Sequence, residues 1–112
     1  MPDLEAEDQK LVTLARSSRA RIQAAEGAAI RDTDGRTYAA GTVDQPSFKL
    51  TALQAAVAAA LSSGAEGIEA AAVVTGEGLL KEASRHAIRD IAKYAPIILA
   101  DPSGAVIEVL ER

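Results

Sequence analysis

The stretch Leu50–Gly64, LTALQAAVAAALSSG, restricts the fold more than any other part of the chain. No titratable side chain lies between Lys49 and Glu66, and Leu50, Leu53, Val57 and Leu61 fall on one helical stripe. A helix without a charged face belongs inside a protein. Its small side chains permit close approach of a neighbouring layer, but each removes little apolar area from water. The chain is 48% hydrophobic, much of it Ala, with 3% aromatic residues and no Trp. Close helix–sheet packing is therefore expected, and association between copies is a further way to bury surface.

The 112 residues suit a single domain spanning 1–112. The net charge is −4, and basic residues are interspersed with acidic ones apart from Arg16, Arg19 and Arg21. That trio reads as the solvated last turn of a helix. Nucleic-acid binding needs a concentrated basic surface and is not expected. Cys is absent, which rules out disulfides, thiolate catalysis and Cys-ligated zinc together. No apolar run approaches the ~20 residues of a membrane helix, so no membrane association is expected. Met1–Lys10 is acidic rather than signal-like, and a cytoplasmic protein is the expectation.

Leu4–Ile22 reads as a first helix, with Glu5, Glu7 and Asp8 near its start and the Arg trio near its end, matching the helix dipole. Leu4, Leu11, Leu14, Ala15, Ser18 and Ile22 form its expected buried face. Gly27–Arg31 is a short strand, Asp32-Thr33-Asp34-Gly35 a hairpin turn, and Arg36–Val43 the return strand. Asp44–Lys49 is a polar loop leading into the Leu50–Ser63 helix. Ile68–Val74 is a strand buried on both faces, and Leu79–Tyr94 an amphipathic helix. Ile97–Ala100 is a central strand, Asp101–Gly104 a turn, and Ala105–Leu110 a last strand antiparallel to it. The order α-β-β-α-β-α-β-β predicts a three-layer α-β-α domain of the α/β class with one mixed five-stranded sheet.

Two strings add a family to this outline. GAAIRDTDGRTYAAGTVDQPSFKL is similar to a pattern of VGAA, a Gly hairpin, then G-x-N-x-E and an apolar helix. AIRDIAKYAPIILADPSGAV is similar to R-Q-x-x-x-E-F followed by a strand and a D-x-x-G hairpin. Both patterns, and the element order, resemble the cytidine deaminase family over most of the chain. The resemblance implies a zinc site with three Cys or His ligands and a Glu that shuttles protons between zinc-bound water and the base. It places C-x-E at the start of the second helix and P-C-x-x-C at the start of the third.

The chain departs from the family at those positions. An ungapped match puts Leu53 and Ala55 at the first ligand and the shuttle; a match on the helix end puts Thr51 and Leu53 there. Leu80-Lys81-Glu82-Ala83-Ser84 stands where P-C-x-x-C is expected, with Arg85 matching the Arg that follows. An ammonium has no lone pair, and a neutral hydroxyl is a poor zinc ligand. No metal, no cofactor and no catalytic residue are therefore expected. The ribose-gripping N-x-E becomes Thr42-Val43-Asp44, leaving Thr42 and Asp44 as the vestigial substrate-binding candidates. The aromatic segment that precedes VGAA becomes Ile22-Gln23-Ala24-Ala25-Glu26, so a base loses its stacking platform.

Other reactive groups have plain explanations. His86 is the single His, with Glu82 and Asp90 one turn either side, and reads as an exposed helix residue in local ion pairs. Asp34 and Asp101 read as turn residues, with Asp32 beside the hairpin. Gly76-x-Gly78 is too short for a phosphate loop, and Ser17, Ser18, Ser47 and Ser84 lack a nucleophile motif. The leading expectation is an inactive deaminase-like protein acting as a homo-oligomer, dimer or tetramer, in binding or interaction, with a protein partner that the sequence does not name. Alternatives are a nucleoside or other small-molecule binder at Thr42 and Asp44, and an enzyme with unrelated chemistry.

Overall fold

The computed structural model describes residues 4–111. Met1–Asp3 and Arg112, assigned above to the single domain and in part to the acidic N-terminal stretch, lie outside the described residues. The strands β1 (Glu26–Asp32), β2 (Thr37–Gly41), β5 (Ile68–Thr75), β6 (Ile97–Ala100) and β7 (Val106–Leu110) form one sheet in the order β2-β1-β5-β6-β7. The β5–β6 pair is parallel and every other pair antiparallel, so the sheet is mixed as expected.

Helix α1 (Ala6–Ile22) covers one face of this sheet; α2 (Ala52–Ser62) and α3 (Glu82–Arg89) cover the other. The alternation of β5 divides its residues between two cores. Ala70, Ala72 and Val74 pack with Leu11, Val12 and Ala15 of α1, while Ala71 and Val73 pack with Leu53, Ala56 and Val57 of α2. Small side chains bring the layers close. A Cβ added to Gly27 would lie 1.9 Å from the carbonyl oxygen of Ala15.

Arg31 ties α1 to the sheet through Asp8 and Glu69, each at 3.0 Å. Burial works to lower its pKa, but hydrogen bonds to Asp8 and Glu69 outweigh it and the net shift is upward. Two of the arginines that close α1 are not merely solvated. Arg16 donates to the Pro102 carbonyl (3.1 Å) and Arg19 to that of Ala25 (3.2 Å).

Several expectations need correction. The polar segment Asp44–Lys49 is not a loop but a hairpin of β3 (Val43–Gln45) and β4 (Phe48–Leu50), turning at Pro46 and Ser47. Asp44 sits directly across from Lys49, and their opposite charges favour that register. The strand expected over Arg36–Val43 breaks at Thr42, whose hydroxyl is drawn to the Glu26 backbone. Helix α3 is shorter than Leu79–Tyr94. It begins after Gly78 in left-handed geometry, and it ends where Arg89 takes the carbonyls of Ala92 and Ala95 (3.1 and 2.8 Å). The buried stripe of α2 is Ala52, Leu53, Ala56, Val57 and Ala60, whereas Leu61 and, on α1, Ile22 are exposed. Among the described residues no helix is long and apolar enough to cross a membrane.

Candidate functional site

A cleft of about 380 Å3 opens between the β3–β4 hairpin and the N-terminal ends of α2 and α3. Thr42 and Asp44, the two residues chosen from sequence, both line it, together with Lys49, Thr51, Gln54 and Lys81. The volume lies within the range usual for small-molecule sites.

Each wall has a local cause. Thr51 caps α2 with a reciprocal box: its Oγ1 accepts the Gln54 N–H (3.1 Å) and Gln54 Oε1 accepts the Thr51 N–H (2.9 Å). The Ser84 hydroxyl then donates to Thr51 Oγ1 at 2.7 Å, joining the start of α3 to the start of α2. Lys81, at the α3 N-cap, pairs with Glu77 at 3.8 Å. Asp44 and Lys49 form an exposed pair at 3.6 Å across the hairpin.

Thr42 is less available than its position suggests. Its Oγ1 accepts the Glu26 N–H (3.0 Å) and its hydroxyl donates to the Glu26 carbonyl (3.3 Å). The side chain thus reinforces the end of the β1–β2 ladder, where the Thr42 N–H also donates to the Glu26 carbonyl at 3.2 Å. Asp44 keeps acceptor capacity beyond its ion pair.

Thr51, Lys81 and Ser84 gather two hydroxyls and an ammonium. Among the described residues no three His, Asp or Glu side chains come together as metal ligands. His86 lies apart from the cleft, exposed, and of its two flanking acids it pairs with Glu82 at 3.4 Å. A hydrogen bond from Arg85, at 2.8 Å, holds the Glu82 carboxyl below its ordinary pKa.

One residue behind the cleft wall is buried against expectation. Glu26 is fully buried, and neither carboxylate oxygen has a hydrogen-bond partner. Its signal was present: an acid directly before the apolar run Gly27–Ile30, where VGAA would have Val.

A family model described as cytidine deaminase-like matches residues 4–104. Cytidine deaminase from Burkholderia pseudomallei superposes with a TM-score of 0.80 at 23% identity, over 91% of this chain and 90% of that one. The enzyme from Mycobacterium leprae gives 0.70 at 20% identity, over 92% and 95%. A variant of the Mycobacterium tuberculosis enzyme gives 0.70 at 24%, over 93% and 90%. Among curated proteins there is no match. The sheet order, the layers on its two faces and the match over 4–104 converge: the chain belongs to the cytidine deaminase-like family.

Proposed function

We propose that this chain is a deaminase-like binding protein that does not carry out zinc-dependent deamination. The observation that carries the reading is the Ser84–Thr51 hydrogen bond of 2.7 Å beside Lys81. The family resemblance places Lys81 and Ser84 at zinc-ligand positions, and the match on the helix end places Thr51 at the first; the ungapped match places Leu53 there, which is no ligand either. Their chemistry does not fit the ion, because an ammonium offers no lone pair and the two hydroxyls are engaged with each other. On the alignment that places Thr51 first, the shuttle position falls on Leu53, which is wholly buried in the core and can move no proton. Purified protein is expected to hold no stoichiometric zinc by mass spectrometry of metals and to leave cytidine unchanged. Stoichiometric zinc accompanied by turnover would overturn the proposal.

The cleft favours a small-molecule ligand, because it has a defined volume and a mainly apolar surface carrying several polar side chains. A thermal-shift screen of nucleosides, nucleotides and other small polar compounds tests this. Stabilisation that disappears in Asp44→Ala supports a ligand at the vestigial sugar position, and a flat screen counts against it.

A second reading, self-association or a protein partner, rests on a different observation. Phe48 at the hairpin tip, Leu79 and Tyr94 are 59%, 56% and 70% exposed in a chain with only 3% aromatic residues. Light scattering tests for the dimer or tetramer, and a pull-down from the native host seeks the partner. A cytoplasmic location belongs to the same proposal and is checked by cell fractionation.

A further inference from the structure

Glu26 opens β1, and the pleat of that strand fixes which way its side chain points. The Gly27 position faces α1, since a Cβ there would strike the Ala15 carbonyl. Glu26 therefore faces the opposite side, with Ala28 and Ile30, toward α2. Its cross-strand partner is Thr75, buried to 1% exposure. Its backbone is held by Thr42, and its chain neighbour Ala25 lines the cleft. Glu26 itself does not line the cleft, but Ala25 and Thr42 do, so its side chain lies behind that part of the wall, on the α2 side of the sheet.

The surrounding charges are already matched. Asp44 faces Lys49 and Glu77 faces Lys81. Arg89 is the only other residue among those described with a buried, unpartnered side-chain nitrogen or oxygen. Its remaining nitrogens bond to the carbonyls of Ala92, Ala95 and Leu110. Glu26 alone has every polar side-chain atom buried and unsatisfied, and burying a carboxylate without a partner is costly. Two free oxygens on one planar group match a donor that presents two parallel N–H bonds.

We propose that Glu26 is a recognition group for a small organic cation with a planar N–H fork, an amidinium or a guanidinium. The inference rests on the reading that the cleft binds a small molecule. Gln54 and Lys81 are half-buried in the wall, and a ligand reaching Glu26 displaces them at the expense of the Gln54 side-chain bond to the Thr51 N–H and the Lys81–Glu77 pair.

Titration calorimetry of the full chain with benzamidine, methylguanidine, benzylamine and neutral benzamide tests the assignment. Benzamidine and methylguanidine are expected to bind, benzylamine more weakly and benzamide not at all. Glu26→Gln should weaken benzamidine by about tenfold or more, because an amide cannot accept both N–H bonds of the fork. Asp44→Asn, at the mouth, should change affinity far less. Equal binding of benzamide and benzamidine, or unchanged affinity in Glu26→Gln, would overturn the proposal.

Should Glu26→Gln fail to fold, the carbon NMR signal of the Glu26 carboxyl in the unmodified protein decides. A shift on adding benzamidine supports the assignment and an unmoved signal refutes it. If other small molecules bind the cleft while benzamidine does not, the assignment of Glu26 fails and the cleft reading stands. If neither these probes nor any compound of the thermal-shift screen binds, both fail.

Discussion

Asp32 shows how much one side chain can organise. Its Oδ1 accepts the N–H groups of Asp34 and Arg36, both at 2.9 Å, and its Oδ2 accepts the Tyr38 hydroxyl at 2.9 Å. It is this residue, rather than Asp34, that shapes the hairpin turn. Burial works to raise the pKa of its carboxyl, but the three hydrogen bonds outweigh it and hold the group below its ordinary value. An unfolded Asp titrates near ~3.9, so the ionised network stabilises the fold above about pH 4 and is lost as pH falls through the lower folded value. Asp32→Asn is expected to melt below the wild type at neutral pH, and the gap should narrow on acidification below about pH 4. Indistinguishable neutral-pH melts would contradict the role given to Asp32. Gly27 is a harder constraint. Gly27→Ala has to push α1 off the sheet, with an expected loss of ~3 kcal/mol or more in denaturant unfolding, since the Ala15 carbonyl is backbone and cannot step aside.

At the scale of elements, α2 separates what size and periodicity reveal from what they hide. Leu53 is wholly buried and Leu61 is 48% exposed, although both lie on the apolar stripe. Leu53→Ala is expected to cost ~2–5 kcal/mol and Leu61→Ala under about 0.5 kcal/mol, both measured by denaturant unfolding. The stripe misleads because it follows large residues, whereas Ala52, Ala56 and Ala60 carry the contact. Helices α1 and α2 and strands β1, β5, β6 and β7 were legible because propensity and burial agree in them. The β3–β4 hairpin was not: Asp44-Gln45-Pro46-Ser47-Phe48-Lys49 is polar, and only the pairing of Asp44 with Lys49 across the turn reveals it. The ends of α3 were illegible for a related reason. Arg89 reaches forward to the carbonyls of Ala92 and Ala95, a side-chain cap that apolar periodicity does not record. The family pattern singled out Thr42 and Asp44, which line the cleft, whereas the burial of Glu26 was not legible because an acid at a strand start usually faces water.

The whole molecule stacks two thin cores on either side of β5, each built largely of Ala, Val, Leu and Ile. Such cores remove limited apolar area per residue, and the exposed Phe48, Leu79 and Tyr94 leave more to be covered. Light scattering is expected to give a dimer or tetramer mass, and a monomer across the working concentration range would count against self-association. Substituting Tyr94→Ser in an assembling protein should shift that mass downward if its ring lies in the contact.

The hydroxyl bond between Ser84 and Thr51 has a mechanical consequence. It is a clasp between two helix starts, made of neutral groups that need neither a particular ion nor a particular redox state. A clasp of this kind contributes about 1 kcal/mol, where a structural zinc contributes roughly ten times as much. The protein should therefore melt at the same temperature with and without a strong chelator. Ser84→Ala should loosen the end of the molecule that carries the cleft, visible as faster amide exchange at the start of α3 before any change in global stability.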